Sequence, residues 1–368
     1  FGAKNTGDIR RIVAGGIYIL GGAGLLVSLV GYALAPGLLR LLRAPDSVLP
    51  DATVYLRLLC LGTVPVALYN GIASILRAMG DSRTPVYSLA AACIVNIIMD
   101  IVLVVYGRMG VAGAALATVL SQVISAGMLL AVLLRQRDFP LRFGELCLDG
   151  KLLNLILLIG IPAGLQFVTF DLSNTLIQSG INSFGSVVMA AWTAYGKTDA
   201  FVWMISGAFG VAITTFVGQN FGAQRYDRVR QSVRVCLVMS VGTVGVITLL
   251  MLLFRRTILG IYSADTGVIE SGAYIMSIIV PFEAVFMPVE IFAGTFRGVG
   301  DSVKPTVITC LCVCVVRVVW LMTAVKLHHT LFMLCVCYPM TWILTATVFA
   351  AVYLKGDWLR KRIPEEGL

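Results

Sequence analysis

Charge is scarce in this chain: Asp, Glu, Lys and Arg together make up 13% of 368 residues, and the only histidines are His328 and His329. A soluble domain of this length could not hide the apolar remainder, which is 58% of the sequence at a mean hydropathy of +0.92. With two adjacent histidines and no suitable ligand spacing, no metal site is expected. HExxH, GxSxG and phosphate-binding glycine loops are absent too, which leaves nothing that points to an enzyme. The nine cysteines do not form a disulfide framework by spacing: Cys310, Cys312, Cys314, Cys335 and Cys337 all lie in apolar runs and read as small packing residues.

Long apolar runs are abundant instead. They cover residues 12–35, 53–76, 86–106, 110–134, 152–182, 186–219, 233–254, 269–296, 305–325 and 331–354. Each matches the roughly 20 residues that a helix needs to cross the hydrocarbon. None alternates with period two, so the expected fold class is all-α integral membrane rather than barrel. Most of the 28 Lys and Arg fall in alternate loops, which are expected to face the cytoplasm together with both ends of this chain. That distribution accounts for the net charge of +9 through anionic lipid headgroups, with no nucleic acid as partner.

One turn occurs twice. LRAMGDSRTP at 76–85 and FRGVGDSVKP at 296–305 are 220 residues apart, and at the same offset FGAKNTGDIRRIV at 1–13 aligns with FGAQRYDRVRQSV at 221–233. The chain therefore carries two copies of one helical unit. Residues 151–220, two helices, have no upstream counterpart, so the expectation is that about 70 residues precede Phe1 in a parent of two six-helix lobes. The expected organisation is an incomplete N-terminal lobe at 1–140, a cytoplasmic linker at 141–151, a six-helix lobe at 152–355 and a cytoplasmic tail at 356–368.

Ionisable side chains inside spans are costly and mark candidate sites. By depth, Asp171 is expected to face Lys197, with Asp199 close by; Glu283 is expected to face Arg317 near the midplane, and Asp100 to face Arg57 nearer the outer surface. Glu283 with Arg317 reads equally as a structural ion pair, and Asp100 with Arg57 reads rather as a structural pair, because both lie near an interface where charge costs less. Glu290 lies on the helix face of Glu283. Gln166, Asn174, Gln178 and Asn182 form a polar stripe on one face of a single helix, and Tyr195, Trp203, Trp192 and Phe170 offer rings to a cationic compound or simply to the core.

GIPAGLQ at 160–166, AAWTAYGK at 190–197, GQNFGA at 218–223, FRGVGD at 296–301, NIIMD at 96–100, GVAGAALATVLSQ at 110–122 and YPMTW at 338–342 resemble the multidrug and toxic compound extrusion (MATE) transporters, in order along essentially the whole chain. The resemblance implies an inverted-V arrangement of two six-helix bundles, ten of whose helices are present here. It also implies a monomeric antiporter in the plasma membrane that exports small organic, often cationic, compounds on an inward H+ or Na+ gradient, with no cofactor. Family carboxylates on the first helix of a lobe and the fourth helix of the C-terminal lobe couple the cation, which by helix points to Asp171, Glu283 and Glu290, with Asp199 beside them. The substrate cavity would then take Gln166, Asn174, Gln178, Asn182, Tyr195, Lys197 and Trp203. The alternative, a flippase for lipid-linked saccharides of the same broader fold group, would need a more basic cavity than Lys197 and Arg317 supply.

Overall fold

A computed structural model of the chain describes residue 2 and residues 6–41, 45–136 and 150–355. Most of the expected linker at 141–151 and all of the tail at 356–368 lie outside the described residues.

The described residues are almost entirely helical. In order they form α1 (Thr6–Leu41), α2 (Leu49–Leu61), α3 (Thr63–Ala78), α4 (Arg83–Asp100), α5 (Gly110–Leu134), α6 (Gly150–Asn182), α7 (Ser186–Gly222), α8 (Tyr226–Leu253), α9 (Arg255–Tyr262), α10 (Thr266–Ile279), α11 (Glu283–Gly298), α12 (Val303–Thr309), α13 (Val316–Trp320), α14 (Leu331–Cys335) and α15 (Cys337–Leu354). Several of these run on into one another, so that ten continuous segments are long and apolar enough to span a bilayer. The outward faces fit that setting: Leu26, Val86, Tyr106, Phe167, Val238 and Met322 are all exposed apolar side chains.

By contact the chain divides into two compact units, Ala3–Ile156 and Leu157–Leu368. In the first, Val13 of α1, Ile72, Ala73 and Leu76 of α3, and Leu129 and Leu133 of α5 form the core. Ser88 of α4 donates to the carbonyl of Ser125 on α5 at 2.9 Å, which satisfies a hydroxyl buried among apolar groups. In the second, a larger core joins α7, α8, α10, α11 and α15 around Ile213, Val217, Val244, Ile279, Phe296 and Trp342.

The repeated turn has the same pair of backbone hydrogen bonds at its Gly-Asp step in both copies. Gly80 (φ 95°) and Gly300 (φ 80°) take the left-handed conformation that ends a helix. Gly80 N–H donates to Arg77 O at 2.9 Å and Asp81 N–H to Leu76 O at 2.9 Å; Gly300 to Arg297 at 2.9 Å and Asp301 to Phe296 at 2.8 Å repeat the pattern. The aspartates then start the next helix: Asp81 accepts from the N–H groups of Arg83 and Thr84, and Asp301 from that of Lys304. The Thr84 hydroxyl donates to Asp81 as well, and this bond, with the Thr84 N–H, holds the Asp81 carboxyl below the ordinary carboxylate range.

One departure from regular α-helix also recurs. The segment Ile101–Tyr106 that continues α4 is π-helical, and so is Leu321–Val325, which continues α13 at the corresponding place. A further π-helical stretch, Cys310–Val315, precedes α13 in the second unit.

Candidate ion-coupling site

Proline places the first member of the site. Pro281 interrupts the long apolar run with a single 3-10 turn, Val280–Phe282, so that α10 ends and Glu283 opens α11. Its side chain enters the core at 3% exposure. There it meets Asp199 from the middle of α7, and the two carboxyl groups lie within hydrogen-bonding reach of each other. Trp203, one turn further along α7, donates its indole N–H to Asp199 Oδ2 at 2.8 Å, and Tyr195 lies one turn back on the same helix, buried. Three carboxyl oxygens of this pair, Asp199 Oδ1 and both of Glu283, are buried with no donor.

Arg317 lies in the same unit, fully buried. Its Nη1 donates to Asn174 Oδ1 of α6 at 3.1 Å and its Nε to Thr341 Oγ1 of α15 at 3.4 Å. The guanidinium is stacked on two rings, 4.2 Å from the centroid of Tyr338 and 5.4 Å from that of Phe170. Aromatic contacts link the cation to the carboxyl pair: Tyr338 packs on Trp192 and Trp342, Trp192 on Tyr195, and Trp342 on Trp203 and Phe286.

The expected partnerships are therefore redrawn. Glu283 does not pair with Arg317: equal depth fixes height along the membrane normal but not the direction a side chain takes around its helix. The Arg317 side chain goes to α6 and α15, while Glu283 goes to α7. Asp100 does not pair with Arg57 either, because Arg57 donates to the Tyr32 carbonyl at 3.3 Å and lies over the Tyr32 ring at 4.8 Å. Lys197 is exposed and approaches the Tyr262 ring at 5.8 Å rather than Asp171, itself exposed. Glu290 pairs with Arg297 on the same helix at 3.2 Å, away from the carboxyl pair.

Of the polar stripe, Asn174 reaches the site, whereas Gln178 donates to Asn182 at 2.9 Å on the same helix, and Gln166 is half-buried. Residues that the sequence reading did not place in the site are Tyr338, Thr341 and Trp342. Their spacing of three and four puts all of them on one face of α15, which was the available signal.

Helices of membrane-spanning length around a buried acid pair and a buried cation define a membrane transporter rather than a catalyst of bond chemistry. The family model named MatE matches residues 1–102 and 162–323, and the chain belongs to this family of multi-pass membrane transporters. Among curated relatives, the probable multidrug resistance protein YoeA of Bacillus subtilis is 29% identical over 318 residues, 84% of this chain and 68% of the relative. The probable multidrug resistance protein YpnP of the same species is 33% identical over 213 residues, 58% of this chain and 48% of the relative. The chain thus spans from about half to about two thirds of the length of these relatives. Among solved structures, a MOP superfamily transporter from Pyrococcus furiosus superposes with a TM-score of 0.90 at 17% identity, covering 98% of this chain and 81% of that one. The Vibrio cholerae MATE transporter VcmN gives 0.86 at 21% identity, covering 98% and 84%. These likenesses establish the all-helical MATE fold.

Proposed function

We propose that the protein is a proton-driven exporter of organic, often cationic, compounds across the plasma membrane, and that Asp199 and Glu283 form its coupling site. The contact between these two buried carboxyl groups carries the reading. Two ionised carboxylates side by side repel, whereas one carboxylate and one carboxylic acid share a hydrogen, which can engage two of the three oxygens that otherwise lack a donor. With one proton the pair carries a single negative charge, which balances the buried Arg317 across the bridging rings. A second proton would leave that cation unbalanced, so loading the pair changes the electrostatics of the whole cluster.

The class of cargo rests on the names of the curated relatives, which are multidrug resistance proteins. The basic loops are assigned to the cytoplasm and the protein to a monomeric working form, each lobe following the 1–140 and 152–355 division. Sodium is the second reading, favoured by the same three donor-free oxygens, since hard cations take oxygen ligands.

Proteoliposomes decide between the two. Efflux of a fluorescent organic cation is expected under an imposed pH gradient, and not under a sodium gradient, with loss in Asp199→Asn and in Glu283→Gln. Efflux driven by sodium alone would assign the pair to a metal cation; pH-driven efflux that survives both substitutions would remove the pair from coupling.

A further inference from the structure

A groove of about 510 Å³ runs between α7 and α8, away from the carboxyl pair. Phe209, Ala212, Ile213 and Phe216 form its α7 wall; the α8 wall is one stripe, from Arg228, Gln231 and Ser232 at one end to Val235, Cys236 and Met239 at the other. The two helices are antiparallel neighbours joined by the short turn at 223–225, so the polar end lies next to that turn and the apolar end deep in the span. From Arg228 to Met239 the groove is about 16 Å long at the helical rise, close to half of a hydrocarbon core about 30 Å thick. It therefore has the length of one leaflet.

Its charge is one-sided. Residues 223–237 carry Arg225, Arg228, Arg230 and Arg234 against a single acid, Asp227, and neither Arg228 nor Gln231 has a hydrogen-bond or ion-pair partner among the described residues. A slot with apolar walls along one leaflet and an unpaired guanidinium at the headgroup level matches the chemistry of an anionic phospholipid. We propose that this groove is a specific phospholipid site, which seats an acyl chain against Phe209, Phe216, Val235 and Met239 and holds the phosphate at Arg228 and Gln231. An organic cation suits the apolar walls but not the basic mouth, and a transmembrane helix would need the groove to continue across both leaflets.

The test is native mass spectrometry of the full chain in detergent, titrated separately with dioleoyl-phosphatidylglycerol and dioleoyl-phosphatidylcholine. One phosphatidylglycerol per chain is expected to bind more tightly than phosphatidylcholine. Arg228→Gln should weaken it about fivefold, the effect of one basic residue at a membrane surface. Arg225→Gln, equal in charge but outside the groove, should leave it nearly unchanged, and Ala212→Trp, which fills the slot, should abolish it. Equal binding of both lipids, equal effects of the two arginine substitutions, insensitivity to Ala212→Trp, or displacement of the lipid by an organic cation would each overturn the proposal. The readout needs no transport, so it stands or falls separately from the coupling reading.

Discussion

The close approach of α7 and α11 gives a stability prediction that can be worked from distances. A methyl group added at Gly294 would sit 2.7 Å from Ile213 Cγ2, 2.9 Å from the Gly210 carbonyl oxygen and 2.9 Å from Thr214 Oγ1. Two of those atoms cannot give way cheaply: one is backbone, and the Thr214 hydroxyl is held by the Gly210 carbonyl at 2.7 Å and the Gly294 carbonyl at 3.1 Å. Forcing the helices apart costs about 1–3 kcal/mol, and loss of the interhelical bond adds about 1 kcal/mol. Against that, alanine gains about 1 kcal/mol of helix propensity over glycine. Gly294→Ala should therefore destabilise by about 1–3 kcal/mol, and thermal unfolding followed by tryptophan fluorescence should fall by about 2–4 °C for each kcal/mol. Gly207 on α7 has nothing within 4 Å of its missing methyl, so Gly207→Ala keeps only the propensity gain and should hold or raise the midpoint. An unchanged or raised midpoint for Gly294→Ala at the same scan rate would refute the backbone-contact argument.

Other outcomes follow from the site and the turns. Arg317→Lys replaces a fork that reaches Asn174 and Thr341 and stacks on Tyr338 with a point charge, and should cost about 2 kcal/mol in the same unfolding assay. Trp203→Phe keeps a ring but removes the 2.8 Å donor to Asp199, so gradient-driven efflux should slow while binding of a fluorescent cation is retained. Asp81 is held below its ordinary range in the folded state, so its contribution is present above the unfolded value and is lost as pH falls through the lower folded one. Asp81→Asn should accordingly flatten the acid limb of a stability–pH curve while costing about 1 kcal/mol near neutrality through the weakened cap.

Much of the architecture was legible because membrane solvation writes it plainly. Ten apolar runs became ten spanning segments, and the repeated Gly-Asp turn carries the same pair of backbone bonds in both copies, because backbone satisfaction at a helix end depends on a few local residues. The site was legible only in its parts. Asp199, Glu283, Arg317, Asn174, Tyr195 and Trp203 stood out as polar or aromatic residues in apolar runs, yet none of the three charge pairings inferred from depth is formed. Height along a span follows from counting residues; azimuth depends on the kink at Pro281 and on the π-helical stretches around Arg317, neither of which has a distance encoded in the sequence. Thr341 and Trp342 were hidden for a different reason, since a threonine and a tryptophan in an apolar helix look like packing until their neighbours are known.

Glycine contacts between α7 and α11 have a mechanical consequence for the carboxyl pair. Gly294 and Gly298 bring α11 against the Gly210 and Thr214 carbonyls of the α7 backbone, and a seam of that kind resists sliding as a bolted joint does. Asp199 and Glu283 stand one on each side of the seam, so their separation is set by the joint and is insensitive to strain elsewhere in the lobe. The Arg317 bond to Asn174 has no such reinforcement, since it joins α6 to α13 through side chains alone.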